Sequence, residues 1–183
     1  LYGLAFDKKL LTPSSLLRDE PVNLPVERGI YDPGNYNGVI HGDVSARTAL
    51  ASSLNLPAVR VVGLTGADDF VQILREVGFE SLKNGEFYGP SLALGTADVT
   101  LWELVQAYRV LAQGGKFSPL FLTGRAPGTP TKSAYSIGAS FLVSDILADR
   151  DARGLSFGLE SSLSTRSRAS VKTGTSKDMR DNW

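Results

Sequence analysis

The chain has 183 residues, 42% of them hydrophobic, which is enough for one domain with a core or for a large part of a bigger domain. Lys plus Arg and Asp plus Glu both number 19, so the formal net charge is zero. A balanced charge argues against nucleic acid or an anionic membrane as the main partner. The absence of cysteine excludes thiol catalysis and a cysteine-ligated metal.

The two ends of the chain do not resemble the ends of a complete protein. The first residue, Leu1, has no polar lead-in, and Trp183 ends the chain just after a strand-like segment has begun. We therefore expect residues 1–183 to be one partial domain from the interior of a longer protein, with no second domain inside these limits.

The first part of the chain is predicted to be mainly helical. Ser45 is suited to cap a helix over about 46–54, and Pro57 is suited to open a second helix that ends at Gly66. The segment Ser53-Leu54-Asn55 then lies at a junction between two helices, where polar side chains can point into a cleft.

The remaining segments alternate in predicted type. Residues 21–42 are rich in Pro, Gly and Asn and are predicted to be loop. Thr100 and Glu103 form a capping box that opens a long amphipathic helix. The other predicted segments are a helix at the start (1–9), a helix at 68–77, a strand at 117–122, a helix at 136–147 and a loop at 154–165. This order indicates an α/β or α+β domain.

The stretch Ser170–Ser176 is predicted to be an edge strand, because small and β-branched residues alternate there with polar ones. Such a strand could pair its main chain with an extended peptide ligand. Lys172, Thr173 and Thr175 would then place one positive charge and two hydroxyl groups beside the ligand. Gly174 would let the ligand's main chain come close.

Ser53-x-Asn55 and Lys172-Thr173-Gly174 match, in order and in wide separation, the second and third motifs of the penicillin-binding protein family. The surrounding segments also resemble that family: Ala49–Val59, Leu92–Leu101, Ala112–Gly115 and Lys172–Trp183. The last of these most resembles the 1C type of bifunctional, class A member. The resemblance implies the penicillin-binding transpeptidase (serine β-lactamase-like) fold, in which helices flank an antiparallel sheet, here truncated at both ends.

The resemblance also implies an activity, which is D,D-transpeptidation of peptidoglycan stem peptides that end in D-Ala-D-Ala, through a serine acyl-enzyme. β-Lactams would acylate the same site. The implied parent is an inner-membrane protein that is also a glycosyltransferase, with its catalytic part on the periplasmic face among cell-wall synthesis partners. No cofactor and no metal are implied.

Each motif residue acquires an expected role from the resemblance. Lys172 would supply positive charge, Ser53 would relay a proton to the leaving amine, and Asn55 would hold the substrate amide. Thr173 and Thr175 would bind the terminal carboxylate beside Gly174, and the main chain near Thr175 would form part of an oxyanion hole. Ser53 and Lys172 are therefore expected to face each other across one cleft.

The family's first motif, Ser-x-x-Lys, is missing from this sequence. In the family it lies at the start of the helix whose rear half resembles Leu1–Ala5, so we expect it just upstream of Leu1 and expect this chain alone to be inactive. Two alternatives remain open: a β-lactam sensor domain, and a catalytically inactive peptidoglycan-binding module. His41, the sole histidine, is expected to be structural or solvent-exposed rather than catalytic.

Overall fold

The computed structural model describes residues 1–26, 29–124 and 131–174. Helices and short strands are interleaved along these ranges. The helices are α1 (Tyr2–Asp7), α2 (Ala46–Ala51), α3 (Asn55–Thr65), α4 (Ala67–Glu76), α5 (Gly85–Tyr88), a 3-10 helix (Gly89–Leu94), α6 (Leu101–Ala112), α7 (Ile137–Ala148) and α8 (Gly154–Phe157). In these ranges, none of the helices has both the length and the apolar character needed to cross a bilayer.

Within the described ranges, the strands form three two-stranded antiparallel sheets. They are β1 (Leu16–Asp19), β2 (Leu24–Val26), β3 (Gly29–Tyr31), β4 (Gly42–Ser45), β5 (Lys116–Phe117) and β6 (Lys132–Ser133). β1 pairs with β4, β2 with β3, and β5 with β6. Helices together with small antiparallel sheets confirm the predicted α/β (α+β) class.

The core is one continuous cluster of apolar side chains around α1. α1 buries Tyr2, Leu4, Ala5 and Phe6 and packs against α7 and α3. α2 buries Ala46, Ala49 and Ala51, whose small side chains let neighbouring helices approach closely. This packing brings the ends of α2 and α7 to the same side of the molecule.

Several predicted helices are confirmed. Ser45 caps α2 by accepting a hydrogen bond from the Thr48 N–H, and Thr100 and Glu103 form the predicted capping box of α6. Ser136 caps α7 in the same way. α3 begins at Asn55, two residues before Pro57, so the predicted junction between two helices at Ser53–Asn55 is correct.

The prediction of a strand at Ser170–Ser176 is wrong for residues 170–174, which are not in a strand. A strand needs a neighbour for its main-chain hydrogen bonds, but the N–H of Val171 donates instead to the carbonyl of Leu147 near the end of α7. Thr175 and Ser176 lie outside the described residues.

Three further boundaries differ from the sequence predictions. The predicted loop at 21–42 contains the β2–β3 pair. The strand predicted at 117–122 is wrong except for Phe117, the second residue of β5. The predicted loop at 154–165 begins with the single turn α8. These elements are two to four residues long, too short to produce a periodic pattern in the sequence.

An apolar groove of about 750 Å³ lies between α6 and α7. Its walls include Leu101, Tyr108, Ile137 and Phe141. Ile137 and Phe141 are largely exposed, whereas Val143 and Leu147 of the same helix are buried. α7 therefore has apolar residues on two faces, and its inner face packs on α1 and α2.

Candidate active site

Ser53 lies at a sharp turn between α2 and α3, in a left-handed backbone conformation with φ of 56°. The Leu54 N–H donates to the Ala49 carbonyl at 3.0 Å, and the Ser53 N–H donates to the Leu50 carbonyl at 3.2 Å. These two bonds form a Schellman motif, in which glycine usually occupies the left-handed position. A serine there carries strain of about 1 kcal/mol or more, which is typical of a residue retained for its side chain.

Asn55 is the first residue of α3, and an upstream loop holds it in two ways. Its main-chain N–H donates to Asn35 Oδ1 at 2.9 Å, and its side-chain Nδ2 donates to the Gly34 carbonyl at 2.8 Å. The side chain is thus attached to the loop that precedes β4. This fixes the position of the Ser-x-Asn motif relative to that loop.

Lys172 reaches this corner, the turn at Ser53 between α2 and α3, from the other end of the chain. Its Nζ donates one hydrogen bond to Ser53 Oγ and a second, of 2.8 Å, to the carbonyl of Thr173. Burial disfavours the charged ammonium and lowers the Lys172 pKa from 10.5 to about 8. At neutral pH the lysine is mostly charged, but it holds its proton less tightly than an ordinary lysine.

The C-terminal end of α7 delivers Lys172 to this position. Ser170 Oγ donates to the Ser144 carbonyl at 2.7 Å, and the Val171 N–H donates to the Leu147 carbonyl at 3.0 Å. The buried Arg153 also donates to the Leu147 carbonyl, at 2.9 Å. The last turn of a helix leaves carbonyl groups without helical partners, and the Leu147 carbonyl is one that the incoming segment uses.

An arginine clamp joins α2 to α7 behind the site. Arg47 donates to Asp145 on α7 and to Asp149, the residue that follows α7, each at 2.7 Å. The pKa of Asp149 is held below its usual value, mainly by the hydrogen bond from the Ala152 N–H and to a smaller extent by Arg47. Beside the clamp, the buried Ser52 Oγ donates to the Ala152 carbonyl at 2.9 Å. The distance between Ser53 and Lys172 is therefore set by α2 and α7 as well as by their own contact.

The predicted site residues are brought together to different extents. Ser53 and Lys172 are in direct contact, as predicted from the order of the two motifs. Asn55 lies two residues from Ser53, Thr173 is partly buried beside Lys172, and Gly174 is exposed. Thr175 lies outside the described residues. Within residues 1–26, 29–124 and 131–174, no three His, Asp or Glu side chains cluster as metal ligands would.

The sequence did not point to the residues that hold the site in place. Arg47 and Asp145 are separated by 98 positions, and each resembles an ordinary charged residue on a helix surface. Arg153 follows several charged residues in the sequence, yet it is buried and donates to main-chain carbonyls. Only the spacing of Asp145 and Asp149, one helical turn apart, hinted at a shared partner.

The chain belongs to the penicillin-binding protein transpeptidase family. The family's model, described as "Penicillin binding protein transpeptidase domain", matches residues 1–182. This membership agrees with the resemblance carried by Ser53-x-Asn55 and Lys172-Thr173-Gly174.

Among individual proteins, the chain is similar to penicillin-binding protein 1C of Escherichia coli (strain K12), with 39% identity over the whole chain and 23% of that protein. It is 28% identical to penicillin-binding protein 1A of Neisseria lactamica, over the whole chain and 25% of that protein. The chain thus spans about a quarter of the length of these relatives.

Two solved structures share the fold. The crystal structure of penicillin-binding protein 1A from Haemophilus influenzae matches with a TM-score of 0.67 and 22% identity, over 82% of this chain and 28% of that one. Penicillin-binding protein 3 of Burkholderia pseudomallei, solved as its TP domain, matches with a TM-score of 0.64 at 16% identity, over 80% of this chain and 49% of that one.

The left-handed conformation of Ser53 yields a prediction about stability. Ser53→Gly and Ser53→Ala both remove the hydroxyl group, but only alanine keeps a Cβ in the unfavourable conformation. We expect the glycine variant to be more stable than the alanine variant by about 1 kcal/mol in urea denaturation. Equal stability of the two variants would show that the corner is not strained.

Burial of Lys172 yields a prediction about pH. Between the folded pKa of about 8 and the unfolded value of 10.5, the unfolded chain holds a proton that the folded chain has released. Stability must therefore rise with pH across this window. Relative to Lys172→Met, the wild-type free energy of unfolding should increase by on the order of 2 kcal/mol between pH about 7 and about 10.5. If the free energies of unfolding of the two proteins changed equally with pH, the burial of Lys172 would be contradicted.

Proposed function

We propose that this chain forms the Ser-x-Asn and Lys-Thr-Gly sides of a peptidoglycan D,D-transpeptidase site that acts through a serine acyl-enzyme and that β-lactams acylate. The observation that carries the proposal is the hydrogen bond between Ser53 and Lys172, two motif residues 119 positions apart in the sequence. Membership of the transpeptidase family supports the same reaction class.

In this mechanism Lys172 and Ser53 together deliver a proton to the leaving amine. The Lys172 ammonium, with a pKa of about 8, can release a proton close to neutral pH, and Ser53 Oγ accepts its hydrogen bond. Ser53 can then pass its own hydroxyl proton to the amine that leaves when the peptide bond is cleaved, while Lys172 replaces that proton. Before that transfer, the positive charge of the Lys172 ammonium attracts the terminal carboxylate of the stem peptide, which ends in D-Ala-D-Ala; after it the amine is neutral until it takes up a proton from solvent.

Asn55, Thr173, Gly174 and Thr175 are proposed to bind the substrate. Asn55 would hold the substrate amide, and the hydroxyls of Thr173 and Thr175 would bind its carboxylate. Gly174 would allow the substrate main chain to approach. The nucleophile and its base would belong to a Ser-x-x-Lys motif, which this sequence does not contain.

The setting is proposed from the relatives. The chain would work within a longer, membrane-anchored, bifunctional peptidoglycan synthase that also carries a glycosyltransferase, with this part on the periplasmic face of the inner membrane. One structural match, over 80% of this chain at a TM-score of 0.69, is a peptidoglycan glycosyltransferase from Burkholderia ambifaria. At 14% identity this match shows a shared fold and gives no evidence of a shared activity.

The test measures acylation by a fluorescent penicillin in the longer polypeptide that contains this chain. Lys172→Ala should slow acylation by on the order of a hundredfold, because the site loses a well-placed charge. Lys172→Arg should recover only part of the rate, since a planar guanidinium differs in shape from a compact ammonium. Lys116→Ala, an exposed lysine of β5, is the matched control and should acylate normally.

Several outcomes would contradict the proposal. Acylation of a folded Lys172→Ala protein at the wild-type rate would show that the lysine has no part in the reaction. A stoichiometric adduct on the 183-residue chain alone would show that a Ser-x-x-Lys motif is not needed. An intact polypeptide that is never acylated would instead be an inactive binding module, and one that is acylated but forms no cross-links would be a sensor.

A further inference from the structure

The first turn of α3 receives its cap from a distant loop. Leu54, at the N-cap position, has no side-chain oxygen that could accept a hydrogen bond from the helix. Asn35 Oδ1 takes this place and accepts from the N–H groups of Asn55, at 2.9 Å, and Leu56, at 3.4 Å. Pro57, the third residue of the helix, has no N–H to satisfy. Asn35 therefore provides an acceptor for both N–H groups of the first three positions.

Asn35 is itself held in one orientation. Its Nδ2 donates to Asp19 Oδ1 at 2.7 Å and to the Val39 carbonyl at 2.8 Å, so both amide hydrogens are used. With the nitrogen fixed on this side, Oδ1 must face α3. The side chain cannot turn without breaking bonds at both of its ends.

Asp19 anchors this arrangement from inside the protein. It is fully buried on β1, opposite Gly42 of β4. Its Oδ2 accepts from the main-chain N–H of His41 at 3.0 Å and lies 2.7 Å from His41 Nδ1. A buried carboxylate is tolerated only when it is well hydrogen-bonded, so loss of one partner is expected to disturb the others.

We propose that Asn35, oriented by Asp19, is a positioning residue for the Ser-x-Asn motif of the transpeptidase site. The loop residues Gly34 and Asn35 fix both the side chain and the main chain of Asn55. Ser53 is only two residues away, in a strained corner with few alternatives. The inference rests on the proposed function, because it assigns Asn35 to the same site, where it acts through Asn55.

The first test is made on this chain and does not depend on activity. Hydrogen exchange is measured at the main-chain amides of Asn55 and Leu56. Asn35→Ala should speed exchange at both amides by about tenfold or more, because their acceptor is removed. Asn37→Ala is the matched control: it lies in the same loop, and among the described residues its side chain accepts from the nearby Val39 N–H and not from α3. Unchanged protection in Asn35→Ala would overturn the proposal.

The second test measures acylation by fluorescent penicillin in the longer polypeptide, separating the limiting rate from the apparent Kd. Asn35→Ala should lower the limiting rate by about tenfold or more, since small displacements of catalytic groups have large effects. Ile73→Val, a truncation in the buried face of α4, controls for lost stability and should leave the rate unchanged. Equal rates for Asn35→Ala and Ile73→Val would reduce Asn35 to a structural residue and overturn the proposal.

An exchange of partners completes the test. Asn35→Asp alone places two carboxylates together and should impair acylation most. Combining it with Asp19→Asn restores one carboxylate and one amide and should recover much of the rate. Failure of this recovery would also overturn the positioning role.

If Lys172→Ala slows acylation but Asn35→Ala does not, only the positioning inference fails. If the wild type is never acylated, the proposed function fails with it.

Discussion

The hydrogen bond from Lys172 Nζ to Ser53 Oγ joins two unfavourable features of this structure. Ser53 holds a left-handed backbone conformation that a side chain disfavours, and Lys172 places an ammonium group where burial disfavours its charge. Neither feature contributes to stability. Both are maintained because the surrounding helices have a stable packing of their own and leave these two side chains little freedom.

Polar contacts set the fine geometry of the site, and apolar packing sets its general location. The core around α1 brings the ends of α2 and α7 together, but apolar contacts have little directional preference. The Arg47 clamp on Asp145 and Asp149 fixes how the two helices lie relative to each other. Hydrogen bonds have narrow preferences for distance and angle, which makes such contacts suitable for positioning reactive groups.

The two motifs reach the site through similar physical means. Lys172 arrives on a segment whose donors occupy carbonyl groups at the end of α7, as in the bond from Val171 to Leu147. Ser53 and Asn55 arrive at the start of α3, whose free N–H groups are occupied by Asn35. Helix ends have main-chain groups without partners, so they can attach passing segments without disturbing the helix. The site is built where two helix ends supply such groups.

The sequence by itself determined the fold class, the family and the two motif residues that meet. Caps such as Ser45 and Thr100, together with apolar periodicity, depend on neighbours a few residues away, and those predictions were correct. The pairing of Ser53 with Lys172 was predicted only because both lie in motifs of a known family. Beyond this contact, the functional roles of the six motif residues stay predictions: Ser53, Asn55, Lys172, Thr173, Gly174 and Thr175.

Tertiary structure alone decided the conformation of residues 170–174 and the support of the site. Their alternating pattern suits a strand, but a strand exists only beside a pairing partner. In the described part of the chain, Ser170 and Val171 instead donate to carbonyl groups of α7. Asp19 and Arg153 each resemble surface charges, yet both are buried. Whether a charged residue is buried depends on partners that come from remote parts of the chain, and local sequence carries no record of which partners will be present.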